Sequence, residues 1–96
     1  MVGKTEIIEK LKSHKAEIQR KYPVESLGLF GSYARGEETE SSDVDILVEF
    51  NEPVGIEYID LILELEKILS KPVDLIIKKN LYVEVKSFVE RDIISI

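Results

Sequence analysis

Apolar residues along this chain switch repeatedly between helical spacing and strict alternation. Ile7, Ile8, Leu11 and Ile18 fall on one face of a helix predicted over 5–21, with Lys, Glu and Arg on the other face. Pro23 closes it. Residues 24–30 read as a strand that Gly28 weakens. Gly31-Ser32 reads as a turn, with Ser32 as N-cap of a short helix through Arg35 and Gly36 as its stop. A polar loop over 37–42 leads to the clearest strand, 43–50. There Val44, Ile46, Val48 and Phe50 alternate with Asp43, Asp45, Leu47 and Glu49. Asn51-Glu52-Pro53 breaks that strand. A long helix follows over 55–69, closed by Ser70-Lys71-Pro72, and then a third strand over 73–77. A helix over 81–90, with Leu81, Val85 and Phe88 on one side, and a short strand over 93–96 complete the pattern. This order predicts one α/β (α+β) domain over 1–96, with helices covering one face of a small mixed sheet. No internal repeat or low-complexity segment interrupts it.

The 55–69 helix carries more apolar surface than one core needs. At 100° per residue, Tyr58, Leu61, Ile62, Leu65, Ile68 and Leu69 form one stripe. Ile56, Ile59 and Leu63 form a second stripe nearly opposite. A surface helix usually shows one such stripe. Two expectations follow: the C-terminal segment covers the second stripe, or another protein does, a second copy of the chain included.

Composition narrows the class. Hydrophobic residues make up 44% of 96 residues, enough for a core without metal or disulfide staples. With no cysteine there are no disulfides and no thiolate metal sites, which fits a reducing cytoplasm. The N-terminus is polar rather than signal-like, and no apolar run approaches the roughly 18 residues of a membrane span. The formal charge of −6 repels phosphate backbones, so nucleic acid is an unfavourable partner. Abundant Lys and Glu, with only Gln19, Asn51 and Asn80 as side-chain amides, lean toward a thermophilic source.

The chemistry lies in the spacing of a few residues. Asp43 and Asp45 share one side of a strand, with Cα atoms roughly 6.5–7 Å apart. Asp74 can face the same point if its strand pairs beside theirs. Three carboxylates suit hard divalent cations, Mg²⁺ above all. Two such ions about 3.5–4 Å apart can serve both the attacking and the leaving oxygen of a phosphoryl displacement. Gly31 lets backbone approach a phosphate closely, Ser32 adds a hydroxyl, and Arg35 lies one turn further on. Each piece has an ordinary explanation: a turn, a solvated acidic face, a surface arginine. His14, on a Lys-rich helix, reads as a surface histidine, and Tyr33 reads as core rather than as an adenine clamp. Their combination, two strands with acids and a Gly-Ser turn between helices, is much harder to meet by chance.

Gly31-Ser32, ten intervening residues and Asp43-Val44-Asp45 resemble the signature of the DNA polymerase β-like nucleotidyltransferase superfamily. The longer strings, 31–37 and 42–48, resemble its minimal nucleotidyltransferase branch, and the likeness runs from the first helix to Ile77. The resemblance implies that Asp43 and Asp45 are paired metal ligands and that Asp74 is the third acid, near the attacking hydroxyl. It implies that Gly31 and Ser32 contact the triphosphate of ATP. Minimal members are commonly antitoxins of HEPN-domain toxins, and some transfer AMP from ATP to a toxin tyrosine. The expected activity is therefore a Mg²⁺-dependent protein adenylyltransferase acting as an antitoxin. Two alternatives stand beside it: a non-catalytic module that neutralises the toxin by contact, and a nucleotidyltransferase for a small-molecule acceptor. The acceptor segment beyond Ile77 follows no pattern that assigns its role.

Overall fold

The computed structural model describes residues 3–80 and 90–96. Helix α1 (Lys4–Lys21) leads into strand β1 (Val24–Phe30), the short helix α2 (Gly31–Arg35) and strand β2 (Val44–Phe50). Helix α3 (Glu57–Leu69), strand β3 (Val73–Ile77), a 3-10 turn (Lys78–Asn80) and the short strand β4 (Ile94–Ser95) follow. The sheet order is β3-β2-β1-β4. Strand β1 runs antiparallel to both β2 and β4, whereas β2 and β3 are parallel. The sheet is thus mixed, as expected, and α3 is the crossover that a parallel pair requires. Most of the predicted 81–90 helix lies outside the described residues.

Register decides which side chains reach the core. Leu27 and Leu29 stand opposite Val48 and Ile46, and Ile46 stands opposite Leu75. All five are buried, together with Ile7, Leu11 and Ile18 of α1 and Leu61, Leu65 and Leu69 of α3. Both long helices therefore cover this one face. A bulge between Val24 and Ser26 matters here. Unbroken alternation from Leu27 would bury Glu25 and expose Val24; the extra residue reverses both.

Alternate residues of the same strands point to the other face. Phe30 stands opposite Asp45, Gly28 opposite Leu47, and Asp74 is the partner of Asp45 on β3. Ile93 closes over part of this face: a Cβ on Gly28 would lie 2.5 Å from its Cδ1.

Three details differ from the sequence expectation. Helix α2 starts at Gly31, with Phe30 as its N-cap residue and no side-chain cap bond, so Ser32 is inside the helix rather than capping it. A positive φ of 75° at Gly31 makes that sharp exit from the strand possible. Strand β2 starts at Val44, whose N–H donates to Pro72 O at 2.9 Å, leaving Asp43 just ahead of the ladder. Finally, Ile56, Ile59 and Leu63 are exposed, so among the described residues none covers the second stripe of α3.

Candidate active site

The sheet carries the acids on one face and at one end. Asp45, the second residue of β2, stands level with Asp74, the second residue of β3. Neighbouring strands lie about 4.8 Å apart, so the two carboxylates are adjacent. Both strand starts are pinned. Val73 N–H donates to Glu66 Oε2 at 3.0 Å, and the Tyr58 hydroxyl donates to Leu75 O, which ties β3 to α3. Ahead of Asp43, the loop closes on itself: Thr39 N–H donates to Ser42 Oγ at 2.8 Å, and Ser42 N–H to Thr39 O at 3.1 Å. Lys71 Nζ donates to Glu40 O at 3.0 Å, joining that loop to the approach to β3.

Gly31 abuts the acids. A Cβ built on it would sit 2.1 Å from Asp45 Oδ2, well inside contact distance. The carboxylate therefore occupies space that only a glycine leaves open. Ser32 follows in α2, partly exposed beside the same strand end. Arg35, at the C-terminal end of α2, bonds Glu37 Oε1 through Nε at 2.8 Å and pairs with Asp92 Oδ2 through Nη1 at 3.5 Å. Glu37 and Asp92 were not visible as site neighbours in the sequence. An exposed ion pair leaves no periodic signal, and Asp92 comes from the far end of the chain.

Burial and then repulsion from Asp74 and Asp43 push the Asp45 carboxyl above its ordinary range, and Arg35 only partly offsets this. Among the described residues, no three acidic or histidine side chains converge closely enough to hold a metal. The donor set nevertheless suits a hard divalent cation: oxygen ligands only, from two adjacent strand starts, with excess negative charge at Asp45.

The raised value at Asp45 has a definite sign. The folded chain binds the proton more tightly than the unfolded one, so this group's contribution favours the fold below the unfolded pKa. That contribution is lost as pH rises toward and through the folded pKa. At pH 7 Asp45 therefore works against the metal-free fold. Asp45→Asn is expected to raise the melting temperature of the metal-free chain at pH 7, with a smaller gain at pH 4. Addition of Mg²⁺ should stabilise the wild type more than the variant. A wild type and variant that melt together at pH 7 would contradict this reading.

Tyr33 lies fully within the core, so it cannot stack on a base. Its hydroxyl is buried, with no hydrogen-bond partner among the described residues. Since an unpaired buried hydroxyl is costly, Tyr33→Phe is expected to be neutral or stabilising by up to about 1 kcal/mol in a urea titration. His14 Nδ1 lies 2.8 Å from Lys10 O of its own helix, an arrangement with no catalytic content.

Residues 11–96 match a family model described as a nucleotidyltransferase domain. A Methanocaldococcus jannaschii protein provisionally named a protein adenylyltransferase is 52% identical over 96 residues, covering 96% of each chain. Protein adenylyltransferase MntA of Thermococcus cleftensis is 40% identical over 97 residues, covering 100% of this chain and 98% of that protein. A solved structure described as a minimal nucleotidyltransferase superposes with a TM-score of 0.75 at 30% identity, covering 92% of this chain and 94% of that one. A tri-AMPylated Shewanella oneidensis HEPN toxin in complex with an MNT antitoxin matches with a TM-score of 0.59 at 22% identity, covering 96% of this chain and 66% of that one, a likeness of fold.

Proposed function

Because this chain belongs to the nucleotidyltransferase domain family, we propose that it transfers AMP from ATP to a tyrosine hydroxyl of a HEPN-type toxin, as an antitoxin. The observation that carries this reading is the level placement of Asp45 and Asp74 beside the Gly31 turn. The names of the curated relatives supply the acceptor class, a protein, and the nucleotide, an adenylate. The toxin as partner follows from the family resemblance, and the complex adopted by a protein of the same fold agrees with it.

Asp43, Asp45 and Asp74 would hold Mg²⁺, with two ions as the expected number. When bound, the metal neutralises triphosphate charge and acts as a Lewis acid at the reacting phosphorus. The chain's own groups do the rest. Gly31 and Ser32 seat the phosphates against the start of α2, where bare backbone and a hydroxyl are at hand. Arg35, in the last turn of α2, would add positive charge beside the phosphates. The tyrosine oxygen attacks the α-phosphorus, a new O–P bond forms, and the bond to the β-phosphate oxygen breaks. Pyrophosphate leaves with that electron pair, and Asp74 takes the hydroxyl proton.

The test is direct. Wild-type chain, Mg²⁺, ATP labelled on the α-phosphate and the purified HEPN toxin should give a toxin peptide carrying AMP on tyrosine, found by mass spectrometry. Toxin that stays unmodified while its activity is blocked would favour the second reading, neutralisation by contact alone, for which the exposed stripe on α3 speaks.

A further inference from the structure

We infer that Asp92 is a positioning residue for nucleotide binding: it holds the Arg35 guanidinium in place for the triphosphate, which makes the C-terminal segment part of the nucleotide site. It rests on the proposed placement of Arg35 beside the phosphates.

Helix α2 sets the direction. Gly31, Ser32 and Arg35 share one side of it, at spacings of three and four residues, while Tyr33 and Ala34 are buried. The Arg35 charge is felt at the Asp45 carboxyl. Left to itself, an arginine on the last turn of so short a helix would sweep through solvent. Here two carboxylates hold it from different parts of the chain. Glu37 Oε1 accepts a hydrogen bond from Nε at 2.8 Å, and Asp92 Oδ2 pairs with Nη1 at 3.5 Å. A guanidinium is a rigid planar fork with five N–H donors, so two contacts at different nitrogens fix its plane. Neither contact uses Nη2, so holding Arg35 and binding a phosphate oxygen draw on different donors.

Asp92 is the firmer hold, because the chain beside it is anchored. Ile94 and Ser95 pair with Leu29 and Gly28, Ile96 N–H donates to Leu27 O at 2.9 Å, and Lys15 Nζ donates to Ile96 O at 3.2 Å. Ile93 lies against Gly28. Since β4 runs antiparallel to β1, the residues just ahead of β4 lie toward the Gly31 end of β1. Glu37 stands only two residues from Arg35 and its side chain is 66% exposed, so it ties the arginine to its own neighbourhood alone.

Stability does not account for the pair. The Arg35 and Asp92 side chains are 44% and 34% exposed, and an ion pair so open to water adds little to a fold. Its effect is on where the charge stands. Simple repulsion predicts the opposite outcome: an acid near a triphosphate disfavours it, so removing that acid should tighten binding. The sign of the change therefore separates positioning from repulsion.

The test is titration calorimetry of the full chain with Mg²⁺ and α,β-methylene-ATP, whose α–β bridge does not break, in about 0.15 M salt. Arg35→Ala should weaken binding by about 10-fold or more, and Asp92→Ala and Asp92→Asn each by roughly 3- to 10-fold. The double variant Arg35→Ala, Asp92→Ala should bind no more weakly than Arg35→Ala alone, because Asp92 acts through the arginine. Asp92→Glu should recover most of the loss, and all of these variants should melt close to wild type. Unchanged or tighter binding in the Asp92 variants would overturn the inference, as would losses that add in the double variant. Either result, with AMP transfer to the toxin intact, leaves the proposed function standing. The expected coupling without any transfer to the toxin would instead remove the acceptor and leave the role of Asp92. A wild-type chain that fails to bind the analogue would overturn both.

Discussion

Asp43→Asn is expected to abolish AMP transfer to the toxin, by at least about a thousandfold, while fold and toxin affinity remain. Asp43 is exposed and stands just ahead of β2, outside the core. Its loop is fixed by Thr39, Ser42 and Lys71 through bonds that do not involve the Asp43 carboxylate. The amide keeps the shape and removes the charge, so only cation binding and what depends on it should suffer. Labelled transfer at saturating ATP, alongside a thermal melt and a toxin titration, reads all three consequences. Transfer at wild-type rate by a folded variant would show that Asp43 is no ligand. Asp45 makes a less clean probe, because its partial burial and raised pKa couple the same substitution to stability.

The second large effect is at Gly31. Gly31→Ala should cut transfer by roughly a hundredfold or more and cost about 1–3 kcal/mol of stability. Two penalties combine there: a φ of +75° that L side chains rarely adopt, and a Cβ 2.1 Å from Asp45 Oδ2. Something must move, and the nearest movable group is the carboxylate itself. Gly36→Ala is the matched control. Its φ is +73°, yet a Cβ there meets nothing within 4 Å. It should cost about 1 kcal/mol from backbone strain alone and leave transfer untouched. Equal losses of transfer at both glycines would mean that strain, rather than the approach to Asp45, sets the Gly31 effect. Chemical denaturation and the labelled-transfer assay separate the cases.

The sequence made the sheet and its face legible because alternation is a local property. Val44, Ile46 and Val48 could only be buried together, and Asp43 and Asp45 then had to face the other way. The level placement of Asp45 and Asp74 was legible only conditionally. It needs β3 beside β2, parallel and in this register, and no local pattern encodes that pairing. Helix α2 starts two residues earlier than an N-cap at Ser32 predicts, because capping rules weigh Ser above Gly, while the strand exit here depends on a positive φ. The bulge at Val24–Ser26 left no mark in composition, and the pairing of Arg35 with Asp92 depends on tertiary placement. The second stripe of α3 was readable as a stripe, but its exposure among the described residues required the fold.

The parallel pairing of β2 with β3 has a consequence for how such a domain can grow. Both strands begin at the end that carries the acids, so both finish at the opposite end, where the 51–56 connection and the Lys78–Asn80 turn lie. Residues added at that distal end lengthen the molecule without shifting a reactive group. The architecture thereby leaves one pole open to elaboration, where lineages can vary chain length or append new modules while the chemistry at the other pole stays as it was.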